Sequence, residues 1–479
     1  MELCDYTATK LAGMLKTRKV SSREITEDVL KRIKEKEADI NSFITVLDEE
    51  KIFAQADEAD RRISSNIETG PLNGIPIAIK DNICTKNILT TCASKMLSNY
   101  VPPYSATAVD LLLKEGAVCI GKTNMDEFAM GASSETSVDG VTFNPANSEY
   151  VAGGSSSGSA AAVATGETVI SIGSDTGGSI RQPSSFCGVV GMKPTYGRVS
   201  RYGLISYGSS LDQIGPIARS VEDCAMVLNT ICGHDPMDST SANIQTPDFT
   251  KGISTGINGL HIGVPKEFFT EDMDPEVKRL NVEAIDVLRR KGAEIIDISL
   301  PHTLYGVATY YIIATAEASS NLACFDGAKY GFRAAAGIDD DMMSMREKTR
   351  SEGFGFEVKR RIILGCYMLS AGYHNAYYIK AQKVRNLIRQ DFYNAFEKVD
   401  CIVAPVCPTG PFKIGEKINN PVQMYLTDIY NVTVNLAGLP AMSVPCGTAS
   451  NGLPLGFQII GRPFDEETVL RVGYAYECI

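Results

Sequence analysis

Hydrophobic positions recur along this chain with two periods, and their alternation gives the first view of its architecture. Ser21-Ser22-Arg23-Glu24 has the spacing of a capping box, and Ile25, Val29 and Ile33 follow at i, i+4 and i+8, which predicts an amphipathic helix. A second helical stretch, rich in Ala, Asp and Glu, covers roughly Glu49 to Ile63, so residues 1–65 read as a helical N-terminal segment. The turn cluster Gly70-Pro71-Leu72-Asn73-Gly74 hands over to Ile75-Pro76-Ile77-Ala78-Ile79-Lys80-Asp81. This apolar run ends in charge and reads as a buried strand with Lys80 at its end.

The order helix, glycine, strand then repeats. Ala106 to Glu115 reads as a helix closed by Gly116, with a strand over Ala117 to Ile120, and Val169 to Ile172 is another short apolar strand. Asp274-Pro275 opens a helix that Gly292 ends before a strand over Glu294 to Ile298, and a helix over Val384 to Phe396 leads into Cys401-Ile402-Val403-Ala404. Such alternation predicts an α/β fold with a mixed or largely parallel sheet. The polar stretch from Asp235 to Asn258 is the best candidate boundary, but no repeat or low-complexity linker accompanies it. The chain is therefore expected to be one domain over residues 1–479, with 235–258 a polar surface loop.

Composition narrows the function classes. With 479 residues, 44% hydrophobic and 22% charged, the chain has the balance of a soluble globular protein. Met1-Glu2-Leu3-Cys4-Asp5 lacks the basic flank and apolar run of an export signal, and no apolar segment is long enough to cross a bilayer, so a cytoplasmic protein with no membrane partner is expected. Thirteen cysteines, none in a Cys-x-x-Cys pair, lie mostly in apolar surroundings such as Ala117-Val118-Cys119-Ile120 and read as buried reduced thiols. The four histidines show no metal spacing, and no metal site is expected. A net charge of −11 argues against this chain alone gripping a phosphate backbone; any nucleic acid should be held by a partner.

The candidate chemistry lies in two serine-bearing glycine loops, Gly153-Gly154-Ser155-Ser156-Ser157-Gly158-Ser159 and Gly173-Ser174-Asp175-Thr176-Gly177-Gly178-Ser179-Ile180-Arg181-Gln182-Pro183. Glycine lets backbone N–H groups turn toward one point, and serine supplies an oxygen nucleophile. Such loops can both attack a carbonyl and hold the resulting oxyanion. Gly154 to Gly158 also fits the G-x-S-x-G nucleophile elbow, which would make Ser156 the nucleophile with a later Asp and His. Against that, Ser148-Glu149-Tyr150-Val151 is a poor buried strand, and no downstream histidine has persuasive context. The bland alternatives are a turn hydroxyl for Ser155 and a solvated strand end for Lys80.

Together the two loops resemble the amidase signature. The run from Gly177 to Pro183, continued by Gly191-Met192-Lys193-Pro194-Thr195-Tyr196-Gly197-Arg198-Val199-Ser200-Arg201-Tyr202-Gly203, is similar to the branch of A subunits of aspartyl/glutamyl-tRNA amidotransferases. The resemblance extends from the first helix to about Tyr474, and its one visible departure, Ser157 where many relatives have glycine, is tolerated by the signature. It implies an amidase-signature fold, with a central mixed β-sheet covered by helices on both faces. It also implies a Ser–cis-Ser–Lys triad: Ser179 as nucleophile, Ser155 as the bridging serine in a cis peptide, and Lys80 as base. Backbone N–H groups of Thr176, Gly177 and Gly178, with that of Ser179, would form the oxyanion hole. The residues agree on the parts. With no histidine near either loop a lysine is the available base, and it must be neutral. Lowering its pKa from about 10.4 to near 7 needs roughly 4–5 kcal/mol, part of which burial after Ile75–Ile79 would supply. Asp81 would face the opposite side of the strand.

Glutamine carries a carboxylate and an ammonium at one end, so a site selecting it should offer a cation and an anion far from the nucleophile. The resemblance implies that Tyr310, Arg361 and Asp428 do this, against the alternatives that Arg361 belongs to a solvated charge run and that Asp428 only caps a helix. It further implies a glutaminase that supplies ammonia through a channel to a B subunit. That partner would bind the charged tRNA and use ATP and Mg, and a small C subunit would complete a heterotrimer. No cofactor is then expected in this chain, which has no P-loop. The rival readings are a stand-alone amidase of small amides and a non-catalytic scaffold subunit.

Overall fold

The computed structural model describes residues 2–335, 337 and 341–478. In chain order its strands are β1 (Phe43–Val46), β2 (Pro76–Lys80), β3 (Val118–Thr123), β4 (Phe143–Asn144), β5 (Asn147–Val151), β6 (Ile170–Asp175), β7 (Val190–Lys193), β8 (Gln213–Ala218), β9 (His261–Pro265), β10 (Glu294–Ile298), β11 (Cys401–Pro405), β12 (Ala441–Thr448) and β13 (Pro454–Gly461). Eleven of them form one sheet in the order β1-β3-β2-β6-β8-β7-β12-β13-β11-β9-β10, while β4 and β5 pair separately. The sheet is mixed. β2 runs parallel to β3 and β6, β9 parallel to β10 and β11, and the other pairs are antiparallel. The parallel groups are those joined by helix-bearing crossovers, as a parallel connection requires. Every residue of β2, β3, β6, β7, β8 and β11 is buried, so both faces of the sheet are covered.

The capping box forms at Ser21 and Glu24 and starts a helix over Ser22–Ile40, which packs on a helix over Glu49–Ser64. Helix Thr107–Glu115 stops at Gly116, whose φ of 105° suits glycine. Helix Pro275–Arg290 is capped by Asp274 and ends just before Gly292. β3 runs on past Ile120 through Gly121-Lys122-Thr123, because the buried Lys122 finds partners: Nζ donates to Ile83 O and Thr90 Oγ1 at 2.8 Å and lies 3.4 Å from Asp81 Oδ1. The helix before β11 starts at Lys380, about a turn earlier than its apolar pattern indicates. Residues 235–258 hold no regular element; their Phe249, Ile253 and Ile257 are buried. No helix of the described residues is long and apolar enough to cross a membrane.

Helices Gly306–Asn321 and Phe356–Leu369 were not legible as amphipathic patterns. The first is buried on most sides, and the second carries apolar residues on its exposed face, so neither shows a single apolar stripe. The first serine loop runs into the helix Ser157–Thr165, made of small residues and buried from Ser157 through Val163. It touches β2, β3, β6 and β8. Its Gly158 meets another backbone directly: a Cβ there would lie 2.1 Å from Ser42 O and 2.5 Å from Asn124 N. Gly158→Ala should therefore destabilise the fold by about 1–3 kcal/mol through overpacking. A denaturant titration with an unchanged midpoint would show that this contact does not hold the helix in place.

Candidate active site

Lys80 ends β2 and is fully buried. Its Nζ donates to Ser155 Oγ at 2.8 Å, Ser174 Oγ at 3.0 Å and Ser174 O at 3.2 Å. Asn82 Nδ2 donates to the same Ser174 Oγ at 2.9 Å. Burial pulls the Lys80 amine down to about 7, against the opposing pull of Asp126, Asp175 and Asp212. A neutral amine has two protons and one lone pair, which this set of two hydroxyls and a carbonyl can satisfy. Asp81 lies on the opposite side, where Thr91 N and Oγ1 donate to its Oδ2 at 2.7 and 2.5 Å. A second buried lysine, Lys193, is also drawn to about 7 by burial, but its Nζ donates to Pro194 O at 2.8 Å and to no hydroxyl among the described residues. A lowered pKa alone therefore does not distinguish Lys80; its hydroxyl partners do.

The peptide between Gly154 and Ser155 is cis. Gly154 N donates to Gln182 Oε1 at 2.7 Å and Asp126 N to Ser155 O at 3.3 Å, fixing the first loop from two sides. Ser156 N donates to Ser179 O at 3.1 Å, which ties this loop to the second. The Ser156 hydroxyl is buried and donates to Ser174 O at 3.1 Å, a contact that gives it a structural occupation and brings it no histidine.

The second loop folds around Asp175. Its Oδ1 accepts Gly178 N at 2.8 Å, its Oδ2 accepts Ile180 N at 3.1 Å, and Arg181 and Asn435 Nδ2 complete its shell. Burial would raise this carboxyl, yet Arg181 holds it well below the ordinary carboxylate range. Of the three expected oxyanion donors, Gly178 is thus already used: its N–H points at a carboxylate. The N–H groups of Thr176, Gly177 and Ser179 donate to no acceptor among the described residues. Ser179 is 7% exposed, and its hydroxyl likewise has no partner among them, so the hydroxyl link from Ser155 to Ser179 is not made in this structure.

Tyr310, Arg361 and Asp428 gather beside this loop. A Cβ at Gly177 would lie 2.6–2.9 Å from the Tyr310 ring and hydroxyl, so the phenol packs directly on the loop. Arg361 is buried, not on a solvated face. Nη1 donates to Tyr207 Oη at 2.6 Å, Nε donates to Glu357 Oε1 at 2.7 Å, and the guanidinium lies over the rings of Tyr207, Tyr311 and Tyr425. Its Nη2 has no partner among the described residues. Asp428 precedes the helix Ile429–Ala437, but its side chain makes no capping bond. As a residue it is partly exposed, whereas its Oδ1 is buried without a partner. Burial pushes the carboxyl up to about 8; Asp175 adds to this, while Arg181 and Arg361 oppose it.

A cavity of about 270 Å³ opens beside Arg361, between Glu357, Arg360, Met424 and the loop Gly131-Ala132-Ser133. That loop packs against Gly154, where a Cβ would meet Ser133 N at 2.7 Å. The sequence reading missed Ser174, Asn82, Asp126, Tyr207 and Glu357. Ser174 sits inside the second glycine loop and Glu357 four residues before Arg361, but only tertiary packing shows which atoms they reach.

The family model described as Amidase matches residues 24–470. The A subunit of the glutamyl-tRNA(Gln) amidotransferase of Thermodesulfovibrio yellowstonii is 58% identical over 477 residues, covering 100% of this chain and 98% of that protein; its counterpart in Geobacter metallireducens is 56% identical with the same coverage. The crystal structure of the corresponding glutamyl-tRNA(Gln) amidotransferase A chain from Thermotoga maritima superposes with a TM-score of 0.82 at 42% identity, covering 100% of this chain and 95% of that one. With the sheet order, the paired serine loops and the buried lysine in place, these similarities make the chain a member of the amidase family.

Proposed function

We propose that this chain is the glutamine-hydrolysing component of a tRNA-dependent amidotransferase, supplying ammonia for the conversion of Glu-tRNA(Gln) to Gln-tRNA(Gln). The observation that carries this reading is a buried lysine on the bridging serine, set beside unoccupied backbone amides and facing an arginine and a carboxylate with open hydrogen-bonding positions. The names of the relatives supply the tRNA half of the reading.

In this mechanism Ser179 Oγ attacks the side-chain amide carbon of glutamine, and the oxyanion that forms accepts from the amides of Gly177 and Ser179, with Thr176 N beside them. Neutral Lys80 takes the serine proton through Ser155 and returns it to the leaving nitrogen, so ammonia departs and a γ-glutamyl ester remains. Water then attacks the ester with the same groups working in reverse. Closing the Ser155–Ser179 link belongs to the substrate complex, since catalytic hydrogen bonds often tighten only there. The α-carboxylate of glutamine meets Arg361 Nη2, its ammonium meets Asp428 Oδ1, and Tyr310 lines the path between clamp and nucleophile.

Ammonia released here is useful only when conveyed to a second active site. We assign that site to a B subunit holding the charged tRNA, ATP and Mg, with a small C subunit completing a cytoplasmic heterotrimer. The acidic balance of this chain fits that division.

Ser179→Ala should lower glutamine-dependent ammonia release by roughly 10³-fold or more while the assembled complex still amidates tRNA with added ammonia. Glutamine turnover near the wild-type rate would remove Ser179 from its role, and broad amide hydrolysis by the chain alone would favour a stand-alone amidase. Below about pH 7 Lys80 is protonated and cannot accept, and below about pH 8 Asp428 is neutral and cannot pair with an ammonium. The kcat/KM for glutamine should therefore rise with pH across this window; a flat profile from pH 6 to 8 would argue against both assignments. Arg361→Ala should raise the glutamine KM roughly 10- to 100-fold, with little change in the KM for ammonia in the overall reaction. Equal changes in both would count against a clamp.

A further inference from the structure

Among the described residues four side chains hold the guanidinium of Arg361, and one of them is charged. The rings of Tyr207, Tyr311 and Tyr425 have their centroids 5.4, 5.2 and 5.4 Å from its central carbon and restrain its plane. Rotation within that plane is fixed by hydrogen bonds. Nε donates to Glu357 Oε1 at 2.7 Å and Nη1 to Tyr207 Oη at 2.6 Å, which leaves Nη2 as the nitrogen without a partner among the described residues.

The charge on Glu357 is shared. Arg360 donates to its Oε2, and Tyr425 Oη donates to its Oε1 at 3.1 Å. Two guanidiniums thus face one carboxylate, which leaves a net positive charge beside the cavity that all three residues line. Asp428 does not cancel it while its carboxyl, pushed up to about 8 by burial, stays protonated. Tyr207 preserves that balance. Burial raises its phenol further above the ordinary range, so the oxygen that accepts from Nη1 is neutral. A neutral acceptor orients an N–H without offsetting its charge, whereas a carboxylate in the same place would cancel what a substrate's carboxylate must meet.

The phenol is well placed to impose an orientation, because Tyr207 is buried and held at both ends of its backbone. Its N–H donates to Asp212 Oδ2 at 3.0 Å, and its carbonyl accepts from Asn321 Nδ2 at 3.1 Å. Asp212 also accepts from Thr176 Oγ1 at 2.6 Å, so one carboxylate anchors both Tyr207 and the loop that bears Ser179. Asn321 ends the helix that carries Tyr310. The hydroxyl therefore reaches Arg361 from a base common to the nucleophile loop and the tyrosine packed on it.

We propose that Tyr207 is a positioning residue for glutamine: its hydroxyl turns the Arg361 guanidinium so that Nη2, with the charge intact, is presented to the substrate's α-carboxylate. The proposal rests on the glutaminase reading of this site.

Tyr207→Phe keeps the ring beside the guanidinium and removes only the hydroxyl. In the complex purified with its natural partners, this change should raise the glutamine KM about tenfold while kcat stays within about twofold of wild type. The KM for added ammonia in the overall reaction should not move. Because the hydroxyl acts through Arg361, adding Tyr207→Phe to Arg361→Ala should raise the glutamine KM no further. An unchanged KM in the single variant overturns the proposal, as does a fall in kcat that matches the rise in KM, or an effect that persists in full beside Arg361→Ala. Loss of the folded complex in Tyr207→Phe would make the hydroxyl a tie of the fold and count against it as well. Glutamine hydrolysis and amidation of Glu-tRNA by the wild-type complex are measured alongside. A complex that hydrolyses glutamine without amidating tRNA sinks the amidotransferase reading and leaves the Tyr207 comparison to be read on glutamine itself. A fully active wild type with a silent Tyr207→Phe sinks this proposal alone.

Discussion

The structure is organised around an amine that is buried without a carboxylate to pair with. Moving Lys80 from its ordinary pKa to about 7 corresponds to about 5 kcal/mol of lost preference for the charged form. The carboxylates nearby are turned to other partners, although Asp126 Oδ2 is buried without one. Asp175 is enclosed by Arg181, Asn435 and two backbone amides, Asp212 accepts from Thr176 Oγ1, Tyr207 N and Gly208 N, and Asp126 accepts from Thr136 Oγ1. One residue along the chain, Asp81 has Lys122 and Thr91. Lys80 at the end of β2 and Asp81 just beyond it thus turn to opposite sides, as alternation along an extended chain keeps them apart.

The same economy of partners explains why the two serine loops hold their shape. Gln182, Asp126 and the Ser156–Ser179 backbone bond fix the first loop, and Asp175 fixes the second from within. Gly178 N serves as an internal tether of the glycine turn, while the neighbouring amides of Thr176, Gly177 and Ser179 have no acceptor among the described residues. Gly178 has a φ of 130°, which a side chain would rarely adopt, and a Cβ there would also strike Asn431.

Much of this was legible along the chain, for identifiable reasons. The strand ending at Lys80 and the repeated helix, glycine, strand order follow from apolar runs and turn residues, which are local signals. The glycine-serine loops stand out as dense runs of small residues, some of which the fold also needs for close backbone packing at Gly154 and Gly158. What could not be read is the set of partners at long sequence separation: Ser174 against Lys80, Tyr207 against Arg361, Asn435 against Asp175. That the Gly178 N–H turns to Asp175 could not be read for the same reason, since only the folded loop shows it. Helix Phe356–Leu369 escaped because its outward face is apolar, so its pattern does not divide into a wet side and a dry side.

The contact between Tyr310 and Gly177 carries a consequence for selectivity. Because the phenol rests on Gly177, the helix supplying it cannot move toward Ser179 without displacing that loop. Under the roles proposed for Ser179, Arg361 and Asp428, a site held in this way would act as a ruler for the carbon chain between a substrate's amino-acid head and its amide. Asparagine, one methylene shorter, would reach Arg361 and Asp428 with its amide short of the serine, or reach the serine with its head unheld. On those proposed roles, discrimination between the two amides would come from length, without any group dedicated to rejecting the shorter one.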